Sequence, residues 1–225
     1  MDALIFDFDG VVVDSEPIHL AGFQRVLESI GLNLTEEDYY ARYLGYDDHD
    51  CLLIAARDAG RALDEAQIAE LTRAKTACVQ QAFAESIRPL PGAAELIRAA
   101  AAEAVPLAVC SGALREEIEL ASRTIAVWAC FQAVVAARDV RRGKPDPEGY
   151  AKARERLAAA TGRELRPGRC VAVEDSPAGI EAAAAAGMKT LAVTNSYARE
   201  HLAADRVVAS LAAVTLADVR RLAGQ

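Results

Sequence analysis

Apolar positions along this chain follow two rhythms. Short, nearly continuous apolar runs occur at 3–6, 106–110, 133–136, 170–174, 190–194 and 206–209. Several do not alternate with polar residues, which is the pattern of strands covered on both faces. Between the later runs lie longer stretches with helical spacing, at 92–104, 114–125, 148–161 and 178–187, the last stopping on Gly187. The alanine tracts at 99–102 and 182–186 read as strong helix formers that pack closely on a sheet, not as low complexity. Strand–helix alternation of this kind predicts an α/β fold with a doubly wound parallel sheet.

From 15 to 87 the rhythm breaks. No strand is legible there, only helical stretches such as 18–30, 35–43 and 64–85, with Pro17 at the entrance and Ile87-Arg-Pro-Leu-Pro-Gly92 at the exit. The predicted organisation is a discontinuous core domain, 1–14 with 88–225, interrupted by a helical domain at 15–87. Open α/β sheets bind ligands at the carboxyl ends of their strands. A block inserted after the first strand is therefore expected over that edge, as a cap on two hinges. No internal repeat is present.

Composition narrows the class. With 225 residues, 52% apolar and 26% charged, the chain is long enough to bury a sizeable core and too apolar for disorder. A net charge of −8 argues against a nucleic-acid surface. Five scattered cysteines without a CxxC pair read as reduced thiols. The first residues lack a basic, uninterrupted apolar leader, and the longest uncharged stretch, 124–137, is too short to span a bilayer. A soluble, cytoplasmic protein without a membrane partner is expected; its oligomeric state is not encoded legibly.

Four polar clusters fall at predicted strand ends. Asp7-Phe8-Asp9-Gly10 follows the first run. Residues two apart in extended chain point the same way, so Asp7 and Asp9 emerge together while Phe8 turns inward. Neighbouring carboxylates imply a divalent cation, a shifted pKa, or both, although an acidic turn would look the same. Ser111-Gly112 combines a hydroxyl with backbone N–H groups ahead of a helix, an anion cradle or an ordinary cap. Gly143-Lys144-Pro145-Asp146-Pro147 holds a lysine on a stiff approach, suited to phosphate oxygens if it is not simply solvated. Glu174-Asp175-Ser176 again places carboxylates after a strand, with Ser176 and Pro177 able to start the next helix. Parallel strands share one carboxyl edge, so the four clusters are expected at one site.

The segments DFDGVVVDSEP, the Ser111 strand end, GKPDP and VEDSPAGIEAA resemble, in order, the four motifs of the haloacid dehalogenase-like hydrolase superfamily. The resemblance spans nearly the whole chain, with the helical insert in the position of that superfamily's C1-type cap. It is nearest in character to phosphoglycolate phosphatases and β-phosphoglucomutases. It implies that Asp7 is a nucleophile forming an aspartyl-phosphate and that Asp9 is the acid and base. Mg²⁺ would be held by Asp7, the Asp9 carbonyl, Asp175 and possible further ligand Glu174. Ser111, Gly112 and Lys144 would bind phosphate, and the substrate would be a small phosphorylated metabolite.

Within that superfamily, Asp9 and Asp175 argue against dehalogenation, which displaces halide and needs neither protonation nor metal. His19 stands where β-phosphoglucomutases carry a histidine that helps time acid–base catalysis. In the segment 45–49, however, Asp48 occupies the place of the arginine that binds their second phosphate. Arg42 and Lys75 are alternative sources of positive charge, and Arg115 is a further specificity candidate. The expected activity is phosphatase, with a mutase as the alternative. A receiver-like phosphate-binding regulator is less favoured, because receivers carry their acids on different strands and lack a large insert.

Overall fold

A computed structural model describes residues 1–44 and 46–224. Gly45, in the segment compared with the mutases, lies outside the described residues. Six strands, β1 (Ala3–Phe6), β2 (Leu107–Cys110), β3 (Ala133–Val135), β4 (Cys170–Glu174), β5 (Lys189–Val193) and β6 (Arg206–Val208), form one sheet in the order β3-β2-β1-β4-β5-β6. Every pairing is parallel; Ile5 registers with Ala108 on one side and Ala172 on the other. This is the doubly wound sheet expected from the apolar runs. The chain builds outward from β1 through β3, then restarts at β4 on β1's other side. That reversal places a crevice between the carboxyl ends of β1 and β4.

The chain forms two compact units, Met1–Asp14 with Ile87–Gln225 and Ser15–Ser86. In the second, helices α1 (Glu16–Glu28), α3 (Asp48–Asp58) and α4 (Glu65–Ser86) pack together. A short turn, α2 (Glu36–Asp38), runs directly into a π-helical turn at Tyr39–Tyr43, where the sequence pattern predicts one continuous α-helix. Phe23, Leu27, Tyr39, Leu52 and Leu71 are among the residues of this unit's own core. The sequence pattern also misses α3. Asp47 caps it by accepting from Asp50 N–H at 2.9 Å, but its first turn is acidic, so apolar periodicity begins only at Cys51.

In the first unit α5 (Ala93–Ala102), α6 (Arg115–Thr124), α7 (Glu148–Thr161), α8 (Pro177–Ala185) and a short α9 (Leu216–Leu222) accompany the sheet. Alternate strand residues Ala3, Ile5, Ala108, Ala172 and Val135 share a core cluster with Tyr150, Ala153 and Leu157 of α7 and Ala182 and Ala183 of α8. The intervening Leu4, Phe6, Val109 and Val173 are equally inaccessible, so both sheet faces are covered. The alanines of α8 let that helix lie close to β4 and β5. All five cysteines are free thiols. Among the described residues no helix is long and apolar enough to cross a membrane.

Candidate active site

At the end of β1 the chain keeps its register for one more residue: Asp7 N–H donates to Val173 O of β4 at 2.9 Å. The chain then turns on Gly10, whose φ of +70° disfavours any side chain. Phe8 is fully buried, and its carbonyl accepts from Val12 and Val13 N–H at 2.8 and 3.1 Å. Asp7 is therefore held at the crevice by its bond to β4 and by the turn that follows it.

Lys144 lies between two carboxylates. Its Nζ is 2.8 Å from Asp7 Oδ1 and 2.5 Å from Glu174 Oε1, and stands over the Tyr150 ring at 5.4 Å from the centroid. Glu174, at the end of β4, is wholly buried and saturated with donors. Oε1 accepts from Lys144 and from the Tyr150 hydroxyl at 2.8 Å; Oε2 accepts from Asp175 N–H, Ser176 N–H and Ser176 Oγ at 3.0–3.2 Å. Ser176 also caps α8 by accepting from Gly179 N–H at 3.1 Å, with Pro177 opening the helix. The segment starts the helix as the sequence allows, and it keeps both carboxylates at the strand end.

Ser111 follows β2, and its N–H donates to Val135 O at 3.0 Å. Its Oγ accepts from Ala113 N–H at 3.0 Å and donates to Asp9 Oδ2 at 3.3 Å. A Cβ on Gly112 would meet open space. The structure thus joins Ser111 to Asp9, and Asp7 through Lys144 to Glu174 and Asp175, across four strand ends.

The electrostatics show a deficit of positive charge. Burial pushes the Asp7 carboxyl well above the usual range; Glu174 adds to the shift and Lys144 opposes it. Asp175 is pushed up to about 7, chiefly by burial, against the hydrogen bond from Ser196. Burial alone would raise Glu174 as well, but Lys144, Tyr150 and the Asp175 N–H together hold it below the usual value. Burial would lower Lys144, whereas Asp7 and Glu174 raise it, and the net direction is up. Asp7, Glu174 and Asp175 each present an oxygen within 4.8 Å of the others. Three buried carboxylates facing one ammonium, all offering hard oxygen donors, fit a small divalent cation.

His19 lies on α1 in the helical unit, where its Nδ1 is 2.8 Å from Lys75 Nζ. Lys75 is no surface charge: it is 2% exposed, its ammonium 2.5 Å from Asp48 Oδ1 and over the Phe23 ring at 4.4 Å. Arg42 pairs with Asp58 and Asp38, and Arg115 binds Asp139 and Val134 O. The positive charges considered for specificity are thus committed to partners within their own units.

Three side chains of the site have no forerunner in the sequence reading. Tyr150 belongs to the apolar face of α7, and only its hydroxyl's contact with Glu174 gives it a polar role. Ser196 Oγ donates to Asp175 Oδ2, and Asn195 Nδ2 donates to Gly10 O at 2.7 Å. A fifth polar strand end, Thr194-Asn195-Ser196 after β5, is the signal that would have pointed to the last two.

A model of the haloacid dehalogenase-like hydrolase family matches residues 1–187. The protein CbbY of Rhodobacter capsulatus is 31% identical over 205 residues, 88% of this chain and 88% of its own. A phosphorylated carbohydrates phosphatase of Thermotoga maritima is 31% identical over 85% of this chain and 84% of its own. Among solved structures, CbbY from Rhodobacter sphaeroides in complex with phosphate superposes with a TM-score of 0.82 at 27% identity, covering 97% of this chain and 99% of that one.

Proposed function

The chain belongs to the haloacid dehalogenase-like hydrolase family, and from that premise we propose that it is a Mg²⁺-dependent phosphatase of a small phosphorylated sugar or related metabolite. The observation that carries the reading is the Lys144 bridge between Asp7 and Glu174 beside Asp175, at the crevice where the strand order reverses. Lys144 favours the ionised Asp7 that a nucleophile requires, working against the burial that pushes its carboxyl well above the usual range.

An Asp7 oxygen attacks phosphorus and the bond to the ester oxygen breaks. Asp9 protonates the departing oxygen, so an alcohol leaves and an aspartyl-phosphate remains. Asp9 then takes a proton from water, whose oxygen bonds to phosphorus as the bond to Asp7 breaks, releasing phosphate and restoring both carboxyls. Ser111 and the adjacent Gly112 backbone hold phosphoryl oxygens, and Lys144 balances charge between them and Asp7. The carboxylates of Asp7 and Asp175 with the Asp9 carbonyl would hold Mg²⁺. The saturation of Glu174 by protein donors favours it as the anchor of Lys144. When bound, the metal offsets negative charge on the phosphoryl group.

We take the helical unit as a cap that carries substrate preference. The relative from Thermotoga maritima makes sugar phosphates the first class to try. The mutase alternative finds no uncommitted cation in Arg42 or Lys75 for a second phosphate. Phosphate release from a panel of sugar phosphates, phosphoglycolate, nucleotides and β-glucose 1-phosphate, with and without Mg²⁺, tests the proposal. Metal-dependent release that Asp7→Asn abolishes is the expected result. Release that survives in the variant overturns the nucleophile assignment.

A further inference from the structure

The loop leaving β5 holds two pieces of the site at once. Asn195 Nδ2 donates to the carbonyl of Gly10, in the turn that follows Asp9, at 2.7 Å. The next residue's hydroxyl, Ser196 Oγ, donates to Asp175 Oδ2. These contacts leave no slack. A Cβ on Gly10 would fall 1.9 Å from Asp175 Oδ2 and 2.7 Å from Ser196 Oγ. The Gly10 turn, the Asp175 carboxylate and the Ser196 hydroxyl are therefore in mutual contact, with the β5 loop as their common fastening.

The arrangement divides the Asp175 carboxylate. One oxygen is taken by Ser196, which fixes rotation about the last side-chain bond. The other accepts no hydrogen bond among the described residues, and Asp175 is 4% exposed. A buried carboxylate with one oxygen anchored and one left open is how a preset metal ligand looks. The hydrogen bond from Asn195 does the same for the backbone next to Asp9. Partners of this kind orient ligands before the ion arrives, and losing them typically costs about 10–100-fold in metal affinity.

We propose that Ser196 and Asn195 are positioning residues of the metal centre, setting the Asp175 carboxylate and the Asp9–Gly10 backbone as one rigid ligand pair. The proposal rests on the Mg²⁺ site of the proposed function. Its test is calorimetric titration of MgCl₂ into EDTA-treated, dialysed full-length protein without substrate, for wild type, Ser196→Ala, Ser196→Thr and Asn195→Ala, alongside thermal melts in EDTA. The Mg²⁺ Kd is expected to rise by about tenfold in Ser196→Ala and in Asn195→Ala. Ser196→Thr keeps the hydroxyl and is expected to keep the affinity. A merely structural role would lower the melting temperature in EDTA and leave Kd unchanged; that outcome in both alanine variants overturns the proposal. Should Ser196→Ala fail to fold, Asn195→Ala and Ser196→Thr decide by the same criterion. Wild-type protein that takes up no Mg²⁺ overturns the metal site itself and this role with it.

Discussion

Asp175 shows at the residue scale what the site costs the fold. Its carboxyl, pushed up to about 7 by burial, is an acid whose pKa is higher folded than unfolded. Such a group stabilises fully below the unfolded value near 4 and loses that contribution as pH rises through the folded one. At neutral pH and without metal the ionised form is therefore a burden, one that a bound cation relieves. In EDTA, Asp175→Asn is expected to be more stable than wild type at about pH 8, by at most about 4 kcal/mol for a shift of this size, and the gap should narrow towards about pH 5. Melting curves at both pH values check this; a variant less stable at about pH 8 would contradict the assigned burial cost. Asp7, shifted the same way by the same cause, makes the companion case. Both residues stood out as candidates from DxD and ED spacing at strand ends. Tyr150 was not, because a tyrosine on the apolar face of a helix has the same signature whether or not its hydroxyl meets Glu174.

Among the elements, α8 carries the least expected constraint. Gly179 stands in its first turns, where alanine ordinarily stabilises a helix by about 1 kcal/mol. Here a Cβ would fall 1.9–2.2 Å from the carboxylate atoms of Glu174. The helix gives up a side chain so that the acid anchoring Lys144 can occupy that space. Gly179→Ala is accordingly expected to destabilise, reversing the usual sign, and to lower activity by displacing Glu174 from Lys144. Chemical denaturation with a phosphate-release assay measures both; a stabilised, fully active variant would contradict the packing argument. The elements themselves were largely legible. Both-face burial makes the strands continuous apolar runs, and Gly187 at φ +78° marks the end of α8. The exceptions were α3, masked by its acidic first turn, the short α9, for which the sequence reading gave no helix, and 35–43, where the backbone widens into a π turn so that Tyr39 and Tyr43 both reach the helical unit's core.

For the molecule as a whole, the first strand is tied to its distant neighbour by charge as well as by the sheet. Asp2 accepts from Arg166 Nε at 2.9 Å and Arg169 Nε at 3.0 Å, just ahead of β4. The Arg166 bond first, and that of Arg169 next among the lowering contacts, outweigh burial and hold Asp2 below the usual carboxylate range. Arg156, with Arg115, does the same for Asp139. For depressed acids the sign is opposite to that of Asp175: their stabilisation is present above about pH 4 and is lost as pH falls through the folded value. Stability of wild type should therefore decline progressively below about pH 4, and less steeply in Asp2→Asn, which lacks one of the titrating groups. Equilibrium unfolding across that range tests the expectation, and equal slopes would remove Asp2 from it.

Local periodicity was enough to establish the strands and the α/β class, and it predicted a helical insertion after the first strand. The polar clusters at the strand ends singled out Asp7, Asp9, Ser111, Lys144, Glu174 and Asp175 as candidates, because parallel strands must present their carboxyl ends along one edge. What periodicity does not carry is which side chain meets which. Ser196 lies 21 residues from Asp175, Tyr150 lies 24 from Glu174, and Asn195 lies 185 from Gly10. Those meetings exist because the sheet sets β1 beside β4 and β4 beside β5, an order that depends on how the whole chain closes its core. The commitment of Lys75 to Asp48 and His19 is of the same kind. Whether a charge is free for a ligand or already neutralised is decided by its neighbours in space, and those come only with the packed structure.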